Sequence, residues 1–339
     1  MFRVIVICVF FSNYLQAQED GALEHAMNHK YNPIYRVNYF DKMILKVDVN
    51  SEEESFQTKN FESLNSDKNI FHTNQKLNLR LSFDYDFLGL FISTSPNFLQ
   101  EKGNGIAQTK TLDLSFKFFY SDRLRQEIDY KNRTGYYLDD NSGRTFSFPE
   151  LNKQTIGGRT FYILNNNFSY RAFENLTERQ LISAGSFIPS IGYYFNKLIV
   201  DNNYNSFKNL SQINSFDFML QMGYMYNLVI DKRWVGSFGI HPGIGVNYSQ
   251  STFKKANEDL LEETKRTNFN YNYKMNFSIG YNGKNIFSGI KYNYQNFEYD
   301  TKYKPDLVNT RSQIEIYVGH RFNASKSIKQ VFKKINDIF

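Results

Sequence analysis

The chain has 339 residues and a formal net charge of +6, with 41% hydrophobic and 22% charged side chains. Aromatic residues stand out, with 33 Phe, 25 Tyr and one Trp against six Pro and one Cys. This composition excludes a collagen-like chain and a disulfide-stapled scaffold, and over most of the length it excludes disorder, because so many rings would have to stay in water.

The N-terminus reads Met1-Phe2-Arg3, then an apolar run over residues 4–11, then a polar stretch ending Leu15-Gln16-Ala17. A basic start, a short apolar core and a small residue before the cut are the parts of a cleavable secretory signal, predicted over residues 1–18. The run is far shorter than the ~20 residues of a membrane helix. Cys8 lies inside it, so the mature chain has no cysteine, and Ile5-Val6-Ile7 lacks the small residues a lipoprotein cut requires. Losing Arg3 leaves a charge of +5, scattered along the chain, which is no nucleic-acid footprint. Residues 19–38 are read as an N-terminal periplasmic segment. No later run is long and apolar enough for a spanning helix. Two architectures remain for an exported, ring-rich chain: a soluble all-β protein or a closed barrel in an outer membrane.

Strict alternation decides between them. Over residues 268–281 every odd position is apolar or aromatic and every even one is polar or Gly. Successive strand side chains point to opposite faces, so one face is greasy and the other wet. Residues 216–230 and 235–250 repeat the pattern, and these runs reach the ~9–11 residues that cross a bilayer when tilted. The period recurs over 43–49, 77–85, 88–94, 112–120, 125–137, 161–173, 179–195, 286–299 and 314–322, which makes about twelve strands. Short connections are expected at 84–86, 121–124, 175–178, 231–232 and 282–283, the last an Asn-Gly pair suited to a type I′ turn. Long ones are expected at 50–76, 96–111, 138–158, 196–214, 251–267 and 300–311. Strict sorting of short and long connections to opposite rims is how outer-membrane barrels are organised. The expected fold is therefore all-β: a transmembrane antiparallel up-and-down barrel over residues 39–323, with short periplasmic turns and long extracellular loops. Glu52-Glu53-Glu54 is read as solvated loop rim, and residues 256–266 as a short loop helix.

After Phe322 the period changes. Ile328, Val331, Phe332 and Ile335 recur at helical spacing, with Lys333, Lys334 and further lysines on the other sides. Residues 324–339 are expected to form an amphipathic helix for the periplasmic membrane surface; packing under the barrel mouth and docking on a partner are the alternatives.

Several segments, in order and spacing, resemble a known family. They are Tyr39-Phe40-Asp41-Lys42, residues 83–90, Lys102-Gly103-Asn104-Gly105 leading to Asp113-Leu114, residues 129–138, Phe168-Ser169-Tyr170-Arg171-Ala172-Phe173 and residues 180–187. Together they resemble the exported domain-of-unknown-function family 4421 of Bacteroidetes, over residues 31–322. The resemblance implies an outer-membrane barrel and carries no activity. The polar insert at 51–75 and the C-terminal helix depart from it.

Motifs for chemistry are sparse. There is no G-x-S-x-G, H-E-x-x-H or P-loop, and no cofactor or metal site is expected. His25 and His29 follow the signal without an intervening Glu, so they read as a frayed terminus. His320 has lipid-side parity; a Ser beside it on an adjacent strand would make it a candidate for a lipid hydrolase. A polar network is expected on the lumen side, from Arg80, Asp84, Asp113, Lys117, Glu127, Asp129, Lys131, Arg171, Asp217, His241, Lys274, Lys291, Glu315 and Arg321. Mixed signs favour internal ion pairs over a one-sided selectivity ring. The expected function is a non-enzymatic structural or interaction role in the outer membrane, with membrane lipid and periplasmic or surface proteins as partners and no nucleic acid. The alternatives are a narrow passive pore or small-solute transporter, and behind them a lipid-modifying enzyme.

Overall fold

A computed structural model of the chain describes residues 32–58, 69–74, 77–100, 106, 108–139, 145–174, 176–200, 210–231, 233–254, 261–299 and 308–336. The expected signal peptide and the His25–His29 pair lie outside these residues. Fifteen strands and two α-helices follow in order: β1 (Arg36–Asn38), β2 (Lys42–Thr58), β3 (Asn69–Thr73), β4 (Asn78–Tyr85), β5 (Leu88–Thr94), β6 (Lys110–Phe119), β7 (Leu124–Asp139), β8 (Thr145–Tyr162), α1 (Tyr170–Phe173), β9 (Glu178–Gln180), β10 (Ala184–Ile199), β11 (Leu210–Ile230), β12 (Trp234–Lys254), β13 (Leu261–Asn282), β14 (Ile286–Tyr299), β15 (Val308–Asn323) and α2 (Lys326–Asn336).

All strand pairs are antiparallel, and β15 returns to pair with β2, which closes the sheet into a barrel. The alternation seen in the sequence is the alternation of environment. On β11, Leu220, Met222, Leu228 and Ile230 are half-exposed outward, while Asp217, Gln221 and Asn227 are buried inward. An outer face of side chains that water would reject, around a polar interior, is the signature of a wall standing in lipid.

The barrel closes by two circuits. Through β4, β5 and β6 the circuit counts twelve strands. At the loop end β3 pairs with both β2 (Phe56↔Phe71) and β7 (Phe71↔Leu138), so the circuit through β3 counts ten. The changeover on β7 falls at Gly135, whose φ of +93° is open to glycine at little cost. A Cβ there would come within 2.6 Å of the Gln108 carbonyl oxygen. Thr109 seals the junction: its hydroxyl donates to the Gly135 carbonyl (2.6 Å), and its N–H reaches the Asn74 carbonyl (3.1 Å). The wall is also uneven in height. β11, β12 and β13 run 21 to 22 residues, about twice what a bilayer crossing needs, whereas β4 and β5 have eight and seven.

Several expectations about connections are corrected. Residues 145–158, expected in a long loop, are most of β8, and the expected strand at 161–173 ends at Tyr162. The chain then turns into the barrel mouth over residues 163–183, so 175–178 is no hairpin turn. Its apolar period came from a segment packed on all sides, which mimics a half-buried strand. The connection at the turn end is therefore long here, and the strict sorting of loops does not hold. The expected loops at 50–76 and 196–214 shrink because β2, β3, β10 and β11 extend into them. Residues 261–266, expected as helix, belong to β13; residues 255–260 lie outside those described. The Asn282-Gly283 pair is no type I′ turn: β14 starts only at Ile286, and among the described residues Gly135 is the one glycine with positive φ. Glu52 and Glu54 are buried inward on β2 rather than solvated, because their even parity faces the lumen. The C-terminal helix is present as α2, with the Phe332 ring 4.6 Å from Tyr85 and 5.4 Å from Phe87 at the β4–β5 turn.

Candidate functional site

The interior carries the chemistry, and it is filled from the turn end outward. Residues 163–183 fold into the mouth. Asn165 turns the chain by accepting from the Asn167 N–H (3.0 Å), and Ser169 caps α1 by accepting from Ala172 N–H (2.9 Å). The N-terminal β1 lies beside β9 in an antiparallel pair, Arg36↔Gln180 to Asn38↔Glu178. Together they form a plug. Wall residues hold its backbone: Asn227 donates to the Ser169 carbonyl (2.8 Å), and Arg321 donates to that of Leu176 (3.0 and 2.7 Å). Leu176 sits at φ +62°, an uncommon conformation for a residue with a side chain, held here by burial among Ile44, Phe287 and Tyr317.

Charge ties the plug to the lumen. Glu174 pairs with Lys117 of β6, and Lys291 of β14 donates to the Glu174 carbonyl at 2.9 Å. Burial acts to raise the Glu174 pKa, but Lys117, Lys291 and Arg125 outweigh it and hold the carboxyl well below its usual range. Arg171 sits on the plug helix, not on a lumen strand as expected; it donates to the Asp86 carbonyl (2.8 Å) and stacks 3.5 Å over Phe119. Burial pushes its pKa down to about 10. Arg36 bridges to Glu178 at 3.2 Å inside the plug. Apolar packing completes the seal, with Phe161, Phe168, Tyr170, Phe173 and Met225 in one cluster.

Above the plug, charges of both signs alternate across the lumen. Glu315 receives Lys46 (2.8 Å) and Arg80 (2.7 Å), and Asp48 lies 3.8 Å from Arg80. A second group joins Glu52, Glu54 and Asp113 to Arg133, Arg311 and Lys153; Arg311 Nε stands 2.6 Å from Glu52. Glu127 sits between Arg125 (3.0 Å) and Arg159 (3.4 Å). Removing one partner from such a buried pair strands the other charge, which costs about 3–5 kcal/mol.

The expected lumen residues Arg80, Asp84, Asp113, Asp217, His241, Lys291, Glu315 and Arg321 are all buried, and Lys117, Glu127, Asp129, Lys131 and Lys274 are partly buried on the same face. His241 packs over Gly223, which leaves its ring the room, and its Nδ1 has no hydrogen-bond partner. Sequence reading missed Glu52, Glu54, Arg133, Lys153 and Arg159, all on the inward parity of β2, β7 and β8. Correct strand ends would have found all but Arg133, which already lay on the inward parity of the expected strand at 125–137. Glu174, Glu178 and Arg36 had no such signal. His320 is half-buried on the outer face, with Leu45 and Ile286 directly opposite and its Nδ1 unpaired, so the strands place no serine across from it.

At the loop end an apolar cluster fills the interior on one side. Phe56 and Phe71 stack at 4.9 Å among Tyr136, Leu138, Phe148 and Leu198. Beneath it lies a small polar recess open to solvent, between β7, β8, β10 and β11 on one wall and β14 and β15 on the other.

A family profile described as Domain of unknown function (DUF4421) matches residues 31–322. No curated protein matches the chain. Among solved structures, the outer membrane protease OmpT from Escherichia coli is 7% identical, covering 85% of this chain and 98% of its own, with a TM-score of 0.32. The Pseudomonas putida toluene transporter TodX is 11% identical, covering 86% and 90%, with a TM-score of 0.30. A Pseudomonas aeruginosa FadL homologue is 8% identical, covering 84% and 90%, also at 0.30. At such scores these likenesses carry nothing about activity.

Proposed function

The chain belongs to the DUF4421 family, and from that premise we propose that it is a sealed, non-enzymatic outer-membrane barrel that acts through its surfaces rather than by passing solute. The plug carries this reading: residues 163–183 and β1 occupy the mouth, and wall side chains from β6, β11, β14 and β15 grip them. Eight strands leave a filled interior and sixteen an aqueous channel; twelve leave a space that a plug of this size closes. A passive pore, the competing reading, needs the path that the plug fills.

In this reading residues 1–18 direct export, the turn end faces the periplasm, and the half-exposed outer residues meet membrane lipid. α2 then lies at the periplasmic side with Val331 exposed and Lys326 and Lys334 in solvent, while Phe332 and Ile328 turn partly inward. Of the predicted membrane-surface residues, the side chains of Lys333 and Ile335 are outside those described. Partners are periplasmic or surface proteins that meet α2 or the loops. The test is single-channel recording in planar bilayers. The intact protein should show no conductance steps, and a variant lacking residues 166–181 should show them. Steady ohmic conductance from intact protein would overturn the proposal.

A further inference from the structure

The outward apolar belt is not the same height all round the barrel. On β11 the outward residues stay apolar or aromatic from Phe216 to Ile230, on β12 from Trp234 to Tyr248 with one Gly and one Pro between, and on β13 from Phe269 to Tyr281. Elsewhere the runs are short. On β2 the belt goes from Met43 to Val49 and gives way to exposed Ser51 and Glu53. On β5 it goes from Leu88 to Ile92 and ends at Thr94, and on β6 from Leu112 to Phe118, with exposed Lys110 next beyond Leu112. At ~3.3 Å per residue and a tilt of about 40°, the tall runs stand roughly 30–35 Å and the short ones roughly 10–15 Å, either side of the ~25 Å band usual for such barrels. In the closed sheet β12, in the tall wall, stands across from β5, the shortest. Tilting the whole barrel changes neither height.

Polar groups bound the short wall at both ends. At the loop end the Glu53 carboxylate lies 3.8 Å from His72 Nδ1 on the outer face. An ionisable pair in hydrocarbon is costly, so acyl chains end below it. At the turn end Tyr85 has the outward parity of Leu81 and Phe83 and is nevertheless fully buried, with the Phe332 ring edge-on to it at 4.6 Å. α2 therefore lies against the outside of the β4–β5 turn, at the foot of the shortest strand, with Lys326, Val331 and Lys334 exposed. A basic amphipathic helix held there is placed for lipid headgroups. Between these limits Leu81, Ile92 and Phe116 stand half-exposed.

A bilayer meets an apolar span shorter than itself by thinning beside it. We propose that this barrel holds the bilayer thin against β2, β4, β5 and β6, where the membrane lowers to match the belt and α2 lies among the headgroups of the periplasmic leaflet. The partner of this face is lipid, since its middle is apolar and charge closes it above and below. The proposal rests on the reading that the outer face of the barrel meets lipid.

Depth-dependent fluorescence quenching tests this on the full-length protein in vesicles of palmitoyl-oleoyl phosphatidylcholine. Part of the lipid carries bromine either near the headgroup end or near the methyl end of one chain. Trp234 is the one tryptophan of the sequence, so each reporter is placed in a Trp234→Phe background. Leu112→Trp and Phe118→Trp bracket the short run on β6, and Phe238→Trp and Ile244→Trp have the same spacing at the centre of the tall run on β12. Headgroup-end bromine should quench both β6 reporters the more strongly, and methyl-end bromine both β12 reporters. Val331→Trp on α2 should follow the β6 pair. Heat-modifiable gel mobility reports which variants fold, and Val49→Trp on β2 gives the same reading in place of a β6 variant that does not. The same order of quenching on both walls overturns the proposal, as does a Val331→Trp signal that neither lipid quenches. An Ile244→Trp signal that neither lipid quenches would instead overturn the membrane reading itself.

Discussion

Replacing Glu174 by Gln separates the plug from the wall without changing shape. In the folded chain the Glu174 carboxylate faces Lys117, and both are largely shielded from solvent at 21% and 12% side-chain exposure. Lys291 holds the adjacent carbonyl and is itself buried. The neutral amide leaves two lumen ammonium groups with no carboxylate on the plug, a loss of about 3–5 kcal/mol. At about 1.4 kcal/mol per tenfold, the ratio of seated to released plug should fall by two to more than three powers of ten. Cys8 is the one cysteine of the sequence, so in a Cys8→Ser background Ala172→Cys, buried in α1, supplies one reporter thiol. Labelling by a membrane-impermeant maleimide then measures release. In the Glu174→Gln background labelling should accelerate by that factor, and adding Lys117→Met should return more than half of it, because the stranded charge is gone. Equal labelling with and without Glu174, or a double variant no slower than the single, would refute the reasoning.

Further outcomes follow from the same structure. Because the Glu174 carboxyl has its pKa depressed on folding, its contribution is present above the ordinary carboxylate range and is lost as pH falls through the lower, folded value; maleimide labelling at Ala172→Cys, divided by that of the unfolded chain at the same pH, should stay as low at pH 5 as at pH 7. Phe277→Arg places a cation on the lipid face and should cost about 2–4 kcal/mol if near the midplane, measured by urea unfolding in vesicles. One residue away, Asn276 donates to Asn293 at 2.6 Å inside the lumen, so Asn276→Leu should cost about 1–3 kcal/mol while Phe277→Leu is nearly neutral; the reverse order would contradict the register. Gly135→Ala meets both a positive φ and a nearby carbonyl, and should lower the thermal midpoint, whereas Gly236→Ala, with nothing nearer than 3.9 Å, should not. Deleting residues 325–339 should leave the barrel heat-modifiable, since α2 follows the last strand and lays Phe332 on Tyr85 and Phe87 at the rim; failure to fold would show that Phe332 belongs to the core.

Asn276 is 3% exposed, so the lumen there is packed and hydrogen-bonded. The same holds across the interior, where each lumen strand contributes one member of pairs completed by another strand.

Alternation alone revealed the membrane strands, because lipid and lumen demand opposite side chains at successive residues and a strand exposes them in turn. It placed Asp217 inside and Phe218 outside, and the change of period after Phe322 marked α2. Local period could not distinguish β8 from the plug, since Phe161, Ile163, Phe168 and Tyr170 repeat much as a strand does while lying in a mouth packed on every side. Nor could it show that β3 reduces the circuit from twelve to ten, or that Arg36 meets Glu178 and Lys46 meets Glu315. Those partners lie 142 and 269 residues apart. Which side chain faces inward is a property of each strand's own backbone, whereas what it meets there is set only when the first and last strands join and the chain between them folds into the space they enclose.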